Sequence, residues 1–304
     1  MRVVLLSGGG GGARFARGLA SVLGPGELTV IGNVGDDLEI LGLHVSPDLD
    51  SLLYTLGGLI DAERGWGRAG ESWNALESAG GWGGADWFRL GDRDIGLHLV
   101  RTAELRSGAR LSAVTAELCR RAEVTSHIVP ATDDPLRTHV TTPAGRFPFQ
   151  EWFVGRRHED EVDEVAYEGA DVATPAPGVL EALDAADAIL FAPSNPYLSV
   201  GPILAVAEIS AAMRARKVRS VAVSPLVGGS AVSGPLGRML TRMAGGTGPG
   251  HVAARYDGLV DVLVVDESDA PANAGVELLA ANTVMHDVDS ERRLAEVVLE
   301  AACA

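Results

Sequence analysis

The chain opens on short apolar runs separated by amphipathic stretches. Arg2 to Leu6 is almost wholly apolar and too short for a helix, as expected of a strand buried on both faces. Ala13 to Leu23 then repeats apolar residues at helical spacing, and Leu28 to Ile31 returns to a short apolar run. This order predicts a βαβ opening and therefore a parallel sheet. The alternation reappears late, with strands at Ala188 to Phe191, Ser220 to Val223 and Val262 to Val265, and helices at Ile209 to Arg216 and Leu236 to Met243. Both ends thus predict one α/β, Rossmann-like, doubly wound domain over residues 1–304, with a mainly parallel sheet in a three-layer αβα arrangement. Over residues 61–177 the pattern changes to Gly/Trp-rich loops, two amphipathic helices (Asp94 to Ser107 and Leu111 to Arg121) and an antiparallel patch around Thr138 to Val154. This predicts a mixed α/β insertion capping the sheet, with Glu159 to Glu168 and Pro175 to Pro177 as surface linkers.

Charge narrows the partners. A formal charge of −16 opposes binding to nucleic acid or an anionic membrane, because both require clustered positive charge. An acidic protein that handles phosphates commonly recruits its positive charge from a metal. Cys119 and Cys303 have neither metal-ligand spacing nor a disulfide framework, which suggests a reducing setting. The N-terminal apolar run is too short for a signal peptide or a membrane span, so cytoplasmic residence is expected.

Candidate chemistry begins at Ser7-Gly8-Gly9-Gly10-Gly11-Gly12-Ala13, between a predicted strand and a predicted helix. Gly8, Gly10 and Ala13 satisfy G-x-G-x-x-A, in which glycine admits an oxyanion to the backbone and the helix N-terminus offers free N–H groups. The alternative is a flexible turn without a ligand, and Arg14 is either a charged contact or solvated. No GK[ST] follows, so this is not a Walker loop.

A second strand ends in Gly32-Asn33-Val34-Gly35-Asp36-Asp37, at the carboxyl edge where open α/β sheets place ligands. Asp48 and Asp50 follow within Ser46-Pro47-Asp48-Leu49-Asp50-Ser51. These acids suit Mg²⁺, with the alternative that Asp48 and, less so, Asp50 only stabilise a helix start capped by Ser46. Ser194 and Asn195 lie in a turn after the Ala188 to Phe191 strand, which is open to a binding or a purely structural role. Trp66, Trp73, Trp82 and Trp87 either stack on a planar ligand or pack beneath a lid. The seven histidines show no mutual metal spacing.

Eight blocks in order, SGGGGGARFARGL, NVGDD, SPDLDSLLYTLGG, RGWG, LGDRD, FQEWF, PSNPYLSVGPIL and SPLVGGSAVSGP, resemble the motifs of the 2-phospho-L-lactate transferases of coenzyme F420 biosynthesis. The resemblance spans nearly the whole chain and is strongest to the actinobacterial phosphoenolpyruvate transferase branch. It implies a guanosine diphosphate-linked three-carbon acid as donor and the deazaflavin Fo as acceptor. The ribityl hydroxyl of Fo would attack the phosphorus bearing the acid and release GMP, giving (dehydro) coenzyme F420-0. Charge neutralisation and positioning suffice for such a transfer.

The same resemblance assigns Asp50 and Arg89 to Fo, with the 61–177 region contributing to the acceptor site, and within the tryptophan cluster Trp66 is the first candidate to stack on that planar ligand. Asp36 and Asp50 are the expected catalytic residues and Mg²⁺ ligands. Gly8, Gly9, Gly10, Gly11, Gly12, Arg14 and Asn33 are the expected phosphate cradle, with Ser194, Asn195, Ser224, Gly228 and Gly229 around guanine and ribose. A homodimer is implied as well. Two other functions stay in view: a nucleotide-sugar-sensing regulator of the related gluconeogenesis-factor group, and an NAD-dependent dehydrogenase resting on G-x-G-x-x-A alone.

Overall fold

The computed structural model describes residues 1–269 and 274–304. In chain order it contains β1 (Val3–Ser7), α1 (Gly9–Val22), β2 (Leu28–Gly32), β3 (Leu38–Ile40), β4 (Leu43–Val45) and α2 (Pro47–Leu56). Then come α3 (Asn74–Gly81), α4 (Asp92–Arg106), α5 (Leu111–Arg121), β5 (His127–Pro130), β6 (Arg137–Thr142), β7 (Gly145–Pro148), a π-helix (Glu151–Gly155) and β8 (Glu164–Glu168). The remainder is α6 (Val179–Ala185), β9 (Ala188–Phe191), α7 (Gly201–Ala205), α8 (Ala207–Arg214), β10 (Ser220–Val223), β11 (Leu226–Val227), β12 (Ser230–Ala231), α9 (Leu236–Ala244), α10 (Pro249–Arg255), β13 (Val262–Asp266), a 3₁₀ turn (Glu267–Asp269), β14 (Glu277–Ala281) and α11 (Val288–Cys303).

Seven strands form one parallel sheet in the order β14-β13-β10-β9-β1-β2-β5. Strands β1, β9, β10 and β13 are buried at every position, which explains their unalternating apolar runs. From β1 the chain steps through β2 to β5 on one side, and from β9 through β10, β13 and β14 on the other. Right-handed crossovers running in opposite directions place their helices on opposite faces, so this is an α/β fold of the doubly wound kind. The reversal between β1 and β9 opens a crevice at their carboxyl ends. Helix α1 packs against both α2 and α11.

Several segments differ from the sequence-based expectation. Helix α1 begins within the glycines, at Gly9 rather than Ala13, because Gly12, Ala13, Phe15 and Ala16 are buried and packing overrides low helical propensity. Strand β5 lies within residues 61–177 yet pairs with β2, so that stretch also supplies an edge of the main sheet. The remainder of the stretch carries α3, α4, α5 and the antiparallel sheet β7-β6-β8. Residues 164–168 are strand β8 paired with β6, not a linker; their charged ends belong to a half-exposed edge strand. The helix expected at 209–216 is α8, which starts two residues earlier and is preceded by the short α7, the two being separated at Val206, whose ψ of 109° is extended.

Candidate active site

At the β1/β9 reversal lies a cavity of about 620 Å³. Gly8, Gly9, Gly10, Gly11 and Arg14 line it from the first turns of α1. Ser194, Asn195 and Ser224 line it from beyond β9 and β10. Asp36 and Asp50 line it on one side, with Arg89 and Trp66 from the 61–177 region.

Gly12, Asn33, Gly228 and Gly229 are not in this lining, and each has a supporting place. A Cβ on Gly12 would collide with the Ser7 hydroxyl and lie 2.8 Å from that of Ser194, so glycine there lets α1 sit down on the β9 turn. Asn33 is fully buried; its Nδ2 donates to Asp48 Oδ2 at 2.8 Å while its Oδ1 accepts the Gly35 N–H at 2.8 Å. Gly228 and Gly229, with φ of +59° and +71°, make the two-residue turn joining β11 to β12. That hairpin brings Val227 and Ala231 to the cavity.

The β9 turn is itself tied to the glycine turn, since Ser194 Oγ donates to the Gly8 carbonyl at 2.7 Å. Asn195 Oδ1 accepts the Tyr197 and Leu198 N–H groups at 2.9 and 3.2 Å, which folds the segment into its turn.

The acids sort by partner. Asp37 Oδ2 accepts Ser46 Oγ at 2.9 Å and lies 3.1 Å from His44 Nε2. Ser46 therefore does not cap α2 with its side chain as its position suggested; the hydroxyl is committed to Asp37. Asp50 is gripped by Arg101, whose Nη1 donates to Oδ2 at 3.0 Å and Nη2 to Oδ1. Burial would raise the Asp50 pKa, but the Arg101 charge and hydrogen bonds outweigh it and hold it below the usual aspartate value.

Among the described residues Asp36 and Asp48 have no such cation. Burial, reinforced by the Asp48 charge, pushes Asp36 well above the usual range. Burial likewise lifts Asp48 to about 6 against the opposing Asn33 hydrogen bond. Asp36 Oδ1 is also buried without a hydrogen-bond partner among the described residues. Two mutually repelling buried carboxylates form a hard oxygen donor set that fits a divalent cation. Among the described residues no three His, Cys, Asp or Glu side chains converge on one metal position, so such a cation would rely on water and substrate oxygens, as Mg²⁺ does.

A family model described as 2-phospho-L-lactate transferase CofD matches residues 3–303. The chain belongs to this family. It is 44% identical over 313 residues to the phosphoenolpyruvate transferase of Streptomyces coelicolor, covering 99% of this chain and 98% of that protein. The phosphoenolpyruvate transferase of Thermobifida fusca is 44% identical over 317 residues, with the same coverage of 99% and 98%. The crystal structure of a UPF0052-family protein from Bacillus halodurans superposes with a TM-score of 0.65 at 18% identity, covering 98% of each chain; that likeness is one of fold.

This CofD-family chain carries further cavity residues that motif reasoning did not single out. From α2 and α4, Tyr54, Asp94 and His98 face the cavity. Burial pushes His98 down to about 4, and burial with the Glu71 and Asp50 charges lifts Asp94 to about 6. Asp94 and His98 stand at helical spacing on α4, a signal the sequence did contain.

A second wall is aromatic. Phe149 stacks on Phe153 at 5.1 Å between centroids, and Phe153 on His158 at 5.0 Å. All three rings line the cavity. His158 is held with φ +43° and Arg157 with φ +55°, both left-handed, directly after the π-helix.

The tryptophans divide. Trp66 lines the cavity at 44% exposure, whereas Trp82 is 91% exposed and outside the lining. Trp73 links Trp66 to Arg89, lying 6.2 Å from the Trp66 ring and 4.4 Å beneath the Arg89 guanidinium. Among the described residues no helix is long and apolar enough to cross a membrane.

Proposed function

We propose that this chain transfers the phosphoenolpyruvyl group, or the closely similar 2-phospho-L-lactyl group, from a guanosine diphosphate-linked donor to the ribityl hydroxyl of Fo. The products are GMP and (dehydro) coenzyme F420-0. One observation carries the reading: the glycine turn opens onto the same cavity as the uncompensated Asp36/Asp48 pair and the Arg89/Trp66 side of the 61–177 region. A phosphate-bearing donor and a planar acceptor then meet in one space. The names of the actinobacterial relatives favour the enolpyruvyl donor.

In this mechanism the backbone of Gly8 to Gly11 approaches the donor phosphates and the α1 N-terminus favours their charge. Asp36 and Asp48 would hold Mg²⁺, which when bound neutralises phosphate charge and polarises the phosphorus under attack. Asp48 replaces Asp50 as the second metal ligand because Arg101 already neutralises Asp50. The ionised Asp50 instead accepts a hydrogen bond from the attacking hydroxyl and orients it. Its lowered pKa makes it a weak proton acceptor, which argues for orientation over deprotonation, the hydroxyl proton passing instead to the phosphate of the departing GMP. Arg89 and Trp66 bind the deazaflavin, and Ser224 with the Asn195 turn bounds the nucleoside.

The chain acts, on this reading, as a cytoplasmic homodimeric enzyme. Incubation with Fo, Mg²⁺ and the two guanosine diphosphate-linked donors in competition tests it. The expected result is consumption of the enolpyruvyl donor with formation of GMP; turnover of neither donor would reject transferase action and return the nucleotide-sensing alternative.

A further inference from the structure

The C-terminal helix reaches the glycine turn through a buried carboxylate. A Cβ on Gly18 of α1 would collide with the Glu291 carbonyl oxygen, so α11 lies directly against α1 at that point. Asp287 caps α11, its carboxylate accepting the Ser290 N–H at 2.8 Å. Glu291 follows in the first helical turn, where the helix dipole favours negative charge, and its side chain is wholly buried. Arg17 donates Nε and Nη2 to this carboxylate, each at 2.8 Å, and Arg14 donates Nε at 3.0 Å.

The two arginines differ in what remains to them. Arg17 commits its fork to Glu291 and is absent from the cavity lining, whereas Arg14 engages through Nε and lines the cavity beside Gly10 and Gly11. Thr283 and Met285, from the β14–α11 connection, line the same space. Asp266 fixes that connection by accepting the Thr283 N–H at 3.2 Å and its hydroxyl at 3.3 Å.

We infer that Glu291 is a positioning residue for the donor nucleotide: by gripping Arg14 Nε it aims the remaining guanidinium N–H groups at a nucleoside diphosphate seated on the glycine turn. This rests on the donor reading of the cavity. Without that grip Arg14 is a flexible side chain on a partly exposed helix face, and its rotamers must be ordered at each binding event. A purely structural Glu291 would alter stability but not nucleotide affinity through Arg14.

GDP binding to the full chain in Mg²⁺, followed by calorimetry, separates the two roles. Arg14→Gln is expected to weaken GDP about tenfold, the scale of one charge-assisted hydrogen bond. Glu291→Gln weakens it comparably, and the double variant shows no further loss, because both changes remove one interaction. Arg17→Gln lowers the thermal midpoint and leaves GDP affinity unchanged. If Glu291→Gln does not fold, Arg14→Lys decides: it keeps the charge but not the fork that bridges Glu291 and ligand, so affinity falls as in Arg14→Gln. Wild-type affinity in Glu291→Gln or in Arg14→Lys, or losses that multiply in the double variant, would overturn the inference. Absence of GDP binding by the unmodified chain would overturn the donor reading and this inference with it.

Discussion

Arg101 on α4 spans both carboxylate oxygens of Asp50 on α2, with Nη1 donating to Oδ2 at 3.0 Å and Nη2 to Oδ1. The guanidinium is only 1% exposed and its partner 5%. The pair thereby joins the first α/β unit to the 61–177 region and keeps Asp50 ionised at the cavity wall. His98, one helical turn before Arg101, is held neutral by burial and adds no competing positive charge.

Arg101→Met should cost about 3–5 kcal/mol of unfolding free energy, since it strands a buried carboxylate. The double variant Arg101→Met/Asp50→Leu should recover most of that loss while remaining inactive. Urea unfolding of the variants measures both; a loss below about 1 kcal/mol in the single variant, the scale of an exposed pair, would contradict the buried bridge.

Asp36 and Asp48 predict a cation-dependent stability with a definite sign. Both bind protons in the fold at pH values where the unfolded chain has released them, so their contribution falls as pH rises above the ordinary aspartate range, that of Asp48 through about 6. Mg²⁺ should therefore raise the thermal midpoint more at about pH 7.5 than at about pH 5, where protons compete for the same oxygens. Asp48→Asn should raise the metal-free midpoint at the higher pH and abolish the Mg²⁺ response. Equal responses at the two pH values would count against the pair as the cation site.

The glycines make separable predictions. A Cβ on Gly8 would lie 2.6 Å from Asp48 Oδ2 and 2.8 Å from Ser199 Cβ, so Gly8→Ala should destabilise the fold by about 1–3 kcal/mol. The nearest atom to a Cβ on Gly10 is the Gly65 carbonyl oxygen at 4.0 Å. Gly10→Ala should leave the thermal midpoint unchanged and raise the donor KM, because only the approach of phosphate is obstructed. Equal melting losses in the two variants would show that the open side of the turn is not free for ligand.

Trp66 and Trp82 provide a matched contrast for the proposed acceptor site. Trp66→Ala should raise the KM for Fo by roughly 3–10-fold, the scale of one aromatic stacking contact. Trp82→Ala should not change it, since that ring is 91% exposed and away from the cavity. A larger effect at Trp82 would place the acceptor elsewhere.

The parallel sheet was legible because β1, β9, β10 and β13 are buried on both faces and carry unbroken apolar runs. Strand β8 was not, because an exposed edge strand with glutamates at both ends has the composition of a linker. In the site, the glycine turn and the acidic cluster stood out by local spacing, Arg89 by family resemblance and Trp66 by its place in the tryptophan cluster. The division of labour among the acids did not, because it is set by partners distant in sequence: Arg101 lies 51 residues from Asp50, and Glu291 lies 277 from Arg14. Asp48 illustrates the difficulty. Its place in the first turn of α2 suits a dipole-stabilising acid, and only the fold sets it against Asp36 without a neutralising cation.

In the proposed reaction the acceptor hydroxyl attacks phosphorus at the glycine turn. Its most direct test uses Fo labelled with ¹⁸O at the terminal ribityl hydroxyl, together with the enolpyruvyl donor and Mg²⁺, with the products read by mass spectrometry. Attack by the ribityl hydroxyl gives one unlabelled GMP for each phosphodiester product, and that product retains the label in its bridging oxygen. Absence of the phosphodiester, or a product lacking the label, would contradict it.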